Sequence, residues 1–155
     1  MNQITGESEY QKEKTREQGE EKQRILPRHE RLWVWQKSHK LRLLIFGLCK
    51  KLPYGEKPRL GDQIQRSSKS VPDNIAEGCS SYYFNSKIKS YIDSRKEAAE
   101  TQNHLREMEG KKYISETLAQ RLIEEYEEVI RGLNGLIRKT NELRELFDRK
   151  GAKRL

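Results

Sequence analysis

The feature that most constrains the fold is a heptad pattern near the C-terminus, over Thr117–Arg149. Its large apolar side chains, separated by three, four or seven positions, are Leu122, Tyr126, Val129, Leu133, Leu136, Leu143 and Phe147. A second line widens this face and comprises Ala119, Ile123, Ile130 and Ile137. So wide a face must contact several neighbours, which predicts a bundle rather than a two-stranded coil. Thr117 and Gln120 form the predicted capping box.

Three further segments have helical spacing and complete a four-helix prediction. They are Arg31–Leu52, which ends before Pro53, then Pro58–Gly78 and Asn85–Lys111. In each of them, apolar residues are separated by three, four or seven positions, the spacing of one helical face. The connections between segments are short, which favours sequential antiparallel packing. We therefore expect an all-α fold, an antiparallel up-down-up-down four-helix bundle over residues 29–149.

The second segment contains a proline and a glycine that predict local structure. Pro72 removes a backbone donor inside the helix and is expected to kink it. The hydroxyl groups expected to bond the freed backbone groups belong to Ser67, Ser68 and Ser70. Gly78 suits a C-terminal cap. The polar side chains of Asn74 and Glu77 are interpreted as partners for backbone groups at the kink and the cap.

Two aromatic clusters lie at predicted helix ends. Trp33 and Trp35 open the first segment and are interpreted as a staple onto the next helix or a partner subunit, rather than a base-stacking platform. Tyr82, Tyr83 and Phe84 lie between the second and third segments. We expect this second cluster to plug one end of the bundle, with a short β-like run as the alternative.

Composition limits how such a bundle can be built. Charged residues make up 36% of the chain and hydrophobic residues 33%, so one large core is not available. Copies of the chain could complete each other's burial. No membrane-spanning stretch or apolar signal core is apparent, so a cytoplasmic protein without membrane contact is expected. Cys49 and Cys79 fit no metal or disulfide motif and are expected to be reduced.

Positive charge is concentrated in one stretch of the chain. The formal net charge is +8, and residues 30–72 carry ten basic against three acidic side chains. Residues 1–28 have few apolar side chains and are expected to be a disordered polar tail, with a fraying helix over Tyr10–Arg24 as the alternative. Residues 150–155 are expected to form a basic C-terminal tail.

The basic stretch supplies the candidate nucleic-acid-binding residues: Lys37, Lys40, Arg42, Lys50, Lys51, Lys57, Arg59, Arg66 and Lys69. Gathered on one surface, such groups neutralise phosphates and release counterions, which supplies most sequence-independent affinity. Three of them, Lys37, Lys40 and Lys51, are predicted to lie on the face opposite the apolar stripe. The alternative is that these are ordinary solvated side chains of long helices.

A protein-interaction scaffold is the second hypothesis. In that case an associated enzyme would make the nucleic-acid contacts, and an acidic run would face a basic partner. The run consists of Glu124, Glu125, Glu127 and Glu128. Such runs are usually solvated faces, so this one gives the hypothesis little support.

Catalysis and metal binding have the least support. The histidines are scattered at His29, His39 and His104. Glu-x-x-His pairs and glycine-rich phosphate loops are lacking, and Ser86–Lys89 is an isolated Ser-x-x-Lys match. Arg95 and Gln102 occupy stripe positions and are interpreted as an interhelix or intersubunit hydrogen-bond network. We expect no enzyme activity, no cofactor and no metal.

Motifs in the first two segments carry a family resemblance. They are Val34–Lys37, Leu52–Pro53, Glu56, Gln63–Arg66, Ser70–Pro72 and Asn74–Gly78. With these motifs, Leu32 to Phe147 resembles the four-helix bundle family of proteins encoded by intervening sequences in bacterial large-subunit rRNA genes. The third segment departs from the family pattern at Arg95–Glu97, where Arg-Gly-Ser is common. We assign a structural role to the motif residues Pro72, Asn74, Ile75, Ala76, Glu77 and Gly78.

The family includes the accessory variability determinants of diversity-generating retroelements. The resemblance therefore implies a homopentameric ring whose basic surface binds RNA or DNA and which docks onto a partner reverse transcriptase. A role as an rRNA intervening-sequence protein, or as a scaffold without direct nucleic-acid contact, is the alternative.

Overall fold

The computed structural model describes residues 25–152 and contains four long helices. They are α1 (Trp33–Cys49), α2 (Asp62–Ser80), α3 (Phe84–Gly110) and α4 (Glu116–Ala152). A 3-10 helix at Arg28–Arg31 precedes α1, and a π-helical turn at Lys57–Gly61 leads into α2. No strand is present between residues 25 and 152. The all-α prediction is confirmed, and the β-like alternative for the tyrosine cluster is wrong.

The predicted tails fall largely outside the described residues. This applies to residues 1–24 of the N-terminal tail and to 153–155 of the C-terminal one. In the described part of the chain, no helix combines the length and apolarity needed to cross a membrane. The first predicted helix is divided, because Leu32 adopts an extended conformation between the 3-10 helix and α1.

The helices pack in chain order, each against the next, and α1 also contacts α4. The core consists of side chains with almost no exposed surface: Ile45, Leu60, Ile64, Val71, Ile75, Leu105, Met108, Tyr126, Val129 and Leu133. Burying one Leu, Ile or Val side chain contributes about 1.5–3 kcal/mol, so this set is the main stabilising element. Cys49 and Cys79 are buried with free thiols.

The heptad line of α4 is buried only along its first half. The buried members are Leu122, Tyr126, Val129 and Leu133. Leu143 and Phe147 are exposed, Phe147 to 68%. The N-cap is Ser115, whose hydroxyl accepts the Leu118 N–H at 3.1 Å. The predicted capping box starting at Thr117 is therefore wrong, because α4 begins earlier, at Glu116.

Gly78 is a contact residue and not the predicted helix cap. Helix α2 continues to Ser80, and no glycine between residues 25 and 152 has a positive φ. A Cβ atom at Gly78 would lie 2.7 Å from the Tyr91 ring and 3.0 Å from the Ser90 Cβ. Glycine is needed here because the α2 backbone approaches α3 closely.

Hydrogen bonds around Pro72 also differ from the prediction. The serine hydroxyls donate to carbonyl oxygens of the preceding turn, Ser67 to Ile64, Ser68 to Gln65 and Ser70 to Arg66. The carbonyl freed by the proline is that of Ser68, four residues back. In a helix, a serine hydroxyl reaches the carbonyl oxygen three or four residues before it. The hydroxyls of Ser67, Ser68 and Ser70 therefore bond carbonyl groups that precede the one freed by Pro72.

The end of α2 is satisfied by residues other than those predicted. The hydroxyls of Ser80 and Ser81 donate to the Glu77 carbonyl oxygen at 3.1 and 2.8 Å. The Lys87 ammonium donates to the carbonyl oxygens of Gly78 and Cys79 at 3.3 and 3.1 Å. The bonds at the helix end are therefore made by side chains other than those of Asn74 and Glu77.

The polar stripe residues of α3 form the predicted interhelix network. Arg95 donates to the Asn134 side chain at 2.7 Å. Gln102 donates to the Ile123 carbonyl oxygen at 3.1 Å and to the Glu127 carboxylate at 2.9 Å. Both side chains therefore join α3 to α4, which confirms the interhelix form of this prediction.

The two aromatic clusters differ in their packing and exposure. Trp33 packs on α4, as shown by Gly132 of that helix, where an added Cβ atom would lie 2.4 Å from the Trp33 ring. The predicted staple is therefore made to the last helix and not to the next one. Phe84 packs near Phe147, with ring centroids 6.0 Å apart. Tyr82 and its neighbour Tyr83 are exposed, so the predicted plug is wrong for both tyrosines.

Candidate nucleic-acid interface

Part of the basic stretch lines an open groove between α1 and α2. This α1–α2 groove has a volume of about 440 Å³. It is lined by Arg42, Leu43, Phe46, Asp62, Gln65, Arg66, Ser68 and Lys69. The groove exists because both helices present large side chains at its edges, while small residues such as Ser68 lie at its floor. Lys50 lies beside it, with its ammonium 4.8 Å from the centroid of the Phe46 ring.

The cations of the α1–α2 groove have loose or exposed carboxylate partners. The Arg42 guanidinium is 3.9 Å from Asp73, and the Arg66 guanidinium is 3.7 Å from Asp62. Lys69 pairs directly with Asp73, one turn away on α2. Arg42, Arg66 and Lys69 therefore share two carboxylates, and Lys50 contacts the Phe46 ring. Exposed pairs of this kind are worth little, so phosphate oxygens can replace the carboxylates at small cost.

Lys37 lies apart from these cations and is held by carboxylates of α4. Its ammonium is 2.6 Å from Glu125 and also pairs with Glu128. Partial burial lowers the pKa of Lys37, but hydrogen bonds and charges of the two glutamates outweigh this, so its pKa is raised. Lys37 therefore does not lie on a solvated face opposite the apolar stripe, because α4 packs against that side of α1.

A second groove runs along the other side of α1. This α1–α4 groove, about 380 Å³ in volume, is lined by Lys37, Lys40, Leu41, Leu44, Leu118, Arg121, Leu122 and Glu125. Lys40 makes no ion pair with any residue in the 25–152 range. The candidate residues of the first segment are thus divided between two grooves, with Arg42 and Lys50 on one side and Lys37 and Lys40 on the other.

The remaining predicted residues lie around the connection between α1 and α2. They are Lys51, Lys57 and Arg59, and all three are exposed. Glu56, in the same connection, pairs with Lys111 at 3.4 Å, and Lys111 also pairs with Glu107 at 2.9 Å, so this contact adds no excess positive charge. Lys51, Lys57 and Arg59 lie outside the lining of the α1–α2 groove.

Helix α1 exposes apolar side chains along both grooves, which the sequence analysis missed. Leu43 and Phe46 border the α1–α2 groove, and Leu44 borders the α1–α4 groove. Leu44 is 57% exposed and Phe46 is 50% exposed. The available signal was the uninterrupted run Leu43–Phe46, because four consecutive apolar residues cover every side of a helix.

The histidines do not form a reactive cluster. His29 contacts Trp35 edge-on and His39 stacks on it, with ring centroids 5.2 and 4.7 Å from the Trp35 ring. His104 is buried on α3, 3.4 Å from Glu100. Among residues 25–152, no three His, Cys, Asp or Glu side chains are grouped to hold a metal ion. Burial raises the pKa of Tyr91 to about 12, which keeps this phenol neutral.

Comparison with known proteins finds a matching family model and a similar solved structure. Residues 30–135 match the family model described as 23S rRNA-intervening sequence protein. A solved structure from Bacteroides thetaiotaomicron, a protein with unknown function from the S23 ribosomal protein family, is also similar. The two chains share 26% sequence identity and a TM-score of 0.63, over 68% of this chain and 95% of that one. No curated protein matches the chain.

Proposed function

Because the chain belongs to the family of 23S rRNA-intervening sequence proteins, we propose that it is a non-catalytic protein that binds RNA or DNA. The α1–α2 groove is the proposed contact surface. The observation that carries this proposal is the position of Arg42, Arg66 and Lys69 on one open groove, beside Lys50. Such a surface contacts phosphates without selecting a base sequence.

The charge balance of the groove supports phosphate binding over a role in folding. The side chain of Arg66 is largely exposed and its carboxylate partner, Asp62, is at the limit of an ion pair. Loss of so loose a pair costs little stability. A guanidinium can instead bind a phosphate through two parallel hydrogen bonds, which gives a stronger and more directional contact.

The proposed active form is an assembly of antiparallel up-down-up-down bundles, in the homopentameric ring that the family resemblance implies. Short connections and packing in chain order support the topology. The exposed apolar side chains of α1 support assembly, because a second copy could bury Leu44 and Phe46. Several copies of the groove in one particle would multiply the phosphate contacts and the affinity.

The family resemblance also extends the proposal to a partner. A reverse transcriptase of a diversity-generating retroelement is the proposed enzyme that the assembly would serve, in the cytoplasm. The competing role is a scaffold that makes no nucleic-acid contact of its own. Co-purification with the partner separates these roles: the scaffold binds RNA or DNA only as part of the complex.

The test of the proposal measures binding as a function of salt. Fluorescence anisotropy with a labelled RNA hairpin and a labelled DNA duplex gives the affinity of the purified chain. Three phosphate contacts predict an affinity loss of about 40-fold when salt rises fourfold. The double substitution Arg66→Glu and Lys69→Glu should reduce affinity by more than about tenfold at low salt. Salt-independent binding would contradict phosphate-led recognition.

A matched control separates the groove from total charge. Arg138→Glu with Lys139→Glu makes the same change in net charge on two exposed residues of α4, outside the groove. This control should retain affinity within about threefold, because screening weakens charges more than a Debye length away. Equal losses in both double variants would show that only net charge matters and would remove the groove from the proposal.

A further inference from the structure

A second pocket with a different composition lies where α2 ends. It has a volume of about 490 Å³, within the usual range for small-ligand sites. Its walls include Arg28, His29, Ser80, Tyr82 and Lys87. The 3-10 helix supplies Arg28 and His29, and it packs against α2. We call this site the tyrosine pocket; the connection between α2 and α3 forms its rim.

Two exposed aromatic rings lie at the tyrosine pocket: Tyr82 lines it, and Tyr83 follows directly and packs against Tyr82. Tyr82 is 88% exposed and Tyr83 is 70% exposed. Their ring centroids are 5.1 Å apart and their planes are nearly perpendicular, at 89°. In this arrangement, the edge of one ring points at the face of the other, so the outer faces are open to a planar ligand.

One cation of the pocket, Lys87, is held in place by backbone groups. Lys87 is anchored by the carbonyl oxygens of Gly78 and Cys79, at 3.3 and 3.1 Å. Among residues 25–152, no Asp or Glu side chain lines the pocket. His29 is held in place by its edge-on contact with Trp35. The site thus combines aromatic faces with two cationic side chains, Arg28 and Lys87, which favours an anionic ligand with a flat ring.

We propose that the tyrosine pocket binds an unpaired nucleotide of a single-stranded nucleic acid. The base stacks on Tyr82 or Tyr83, and Arg28 and Lys87 contact the adjoining phosphates. Stacking requires a base that is free of its duplex, because paired bases have both faces covered by their neighbours. This inference rests on the proposed function, and it names single strands as the ligand class of a site distinct from the α1–α2 groove.

The test compares a single strand with a duplex that has no unpaired ends. Fluorescence anisotropy would use a labelled eight-nucleotide oligoadenylate and a blunt labelled duplex. Tyr82→Ala with Tyr83→Ala should reduce affinity for the single strand about 5- to 150-fold, the effect of losing one stacked base. Affinity for the duplex should stay within about twofold. Tyr82→Phe with Tyr83→Phe keeps the rings and should retain both affinities.

Tyr54 provides a matched control for an exposed tyrosine. It is 92% exposed and precedes α2, a 19-residue helix about 28 Å long that has the pocket at its other end. Tyr54→Ala should leave both affinities unchanged. Since Tyr82 and Tyr83 are outside the core, helicity measured by circular dichroism should be the same in all variants.

Three results would overturn the inference. The first is wild-type affinity for the single strand in the double alanine variant, and the second is an equal loss for single strand and duplex. The third is a changed particle mass with unchanged binding, which would assign the tyrosines to a protein contact. A wild-type protein that binds neither ligand would refute the proposed function as well, so the two failures are distinguishable.

Discussion

The two grooves beside α1 contain similar side chains that have different partners. In the α1–α4 groove, Lys37 lies 2.6 Å from Glu125 and also pairs with Glu128. In the α1–α2 groove, Arg42 and Arg66 are 3.9 and 3.7 Å from their nearest carboxylates. The contrast shows that the neighbouring helix decides which cations are available to a ligand. A count of basic residues along the chain does not contain this information.

The physical origin of the difference is the composition of the facing helix. Helix α4 presents the acidic run that includes Glu125 and Glu128 toward α1, which satisfies Lys37 within the fold. Helix α2 presents Asp62 and Asp73 among its own basic residues, so these carboxylates are shared within α2 and with α1. Helix α4 therefore holds Lys37 within the fold, while Lys40 and Arg121 of the α1–α4 groove have no ion pair within residues 25–152. The α1–α2 groove instead gathers Arg42, Arg66 and Lys69 around two exposed carboxylates.

The largest expected effect comes from separating α1 and α4. A Cβ atom at Gly132 would lie 2.4 Å from both the Trp33 ring and the Val34 side chain. Trp33 is half exposed and can move, but Val34 is buried. Gly132→Ala should therefore reduce the free energy of unfolding by about 1–3 kcal/mol. Urea unfolding followed by circular dichroism measures this change.

Gly135 is the matched control for this substitution. It lies three residues further along α4, and a Cβ atom there would have no atom within 4 Å. Gly135→Ala should increase stability by about 0.5–1 kcal/mol, because alanine favours the helix. Equal effects at the two positions would show that close approach of α4 does not shape the α1–α4 groove.

A second prediction sharpens the difference in available charge. Asp62→Asn with Asp73→Asn removes both carboxylates near the cations of the α1–α2 groove. Affinity for the RNA hairpin should rise about threefold to tenfold at low salt. Asp93→Asn with Asp148→Asn removes the same charge elsewhere, on α3 and α4, and should change affinity much less. If both variants bind alike, the contrast between the grooves has no functional meaning.

The helices were largely predictable from the sequence, and the partners of individual side chains were not. Apolar spacing predicted all four helices, and α3 agrees with its predicted range to within one residue at each end. Periodicity reports which residues share a face, and Lys37 was accordingly placed away from the apolar stripe. It does not report that α4 packs on that side, which is why the pairing with Glu125 and Glu128 was missed.

Gly78, Tyr82 and Tyr83 also have contacts or exposure that could not be predicted from the local sequence. Gly78 was interpreted locally, as a cap, but its role depends on the Tyr91 ring of another helix. Tyr82 and Tyr83 were expected to plug the bundle end, yet both are exposed. The tyrosine pocket also needs Arg28 and His29, which lie about 50 residues earlier and reach it only through the packing of the 3-10 helix.

A third, smaller effect is expected from removing the Lys37 charge. Lys37→Met should reduce the free energy of unfolding by at most about 1 kcal/mol, because solvent screens a partly exposed pair. Its affinity for the RNA hairpin should stay within about twofold. Lys40→Met, on the same groove but without an ion pair in the described chain, should change stability by less than about 0.5 kcal/mol. A large affinity loss in Lys37→Met would place Lys37 in the interface.

The smallest effect is the pH dependence of the Lys37 pair. The hydrogen bond and charge of Lys37 hold the pKa of Glu128 below its ordinary value of 4.5. Between the lowered and the ordinary pKa, the unfolded chain binds more protons than the folded one, so stability falls as the solution is acidified. The contribution of Glu128 is therefore present above about pH 4.5 and is lost as pH falls through the lowered pKa.

Lys37 determines the alkaline side of the same pH dependence of stability. Its pKa is raised above the ordinary 10.5, so its stabilising effect is complete below that pH and is lost as pH rises through the raised value. The difference in unfolding midpoint between wild type and Lys37→Met should therefore be constant from about pH 5 to 10 and shrink at both extremes. Asp62 and Asp73 contribute equally to both proteins, so they cancel in this difference. If the difference in unfolding midpoint between wild type and Lys37→Met increased on acidification, Lys37 would not be stabilised by Glu125 and Glu128. The two grooves would then not differ in how strongly the fold holds their cations.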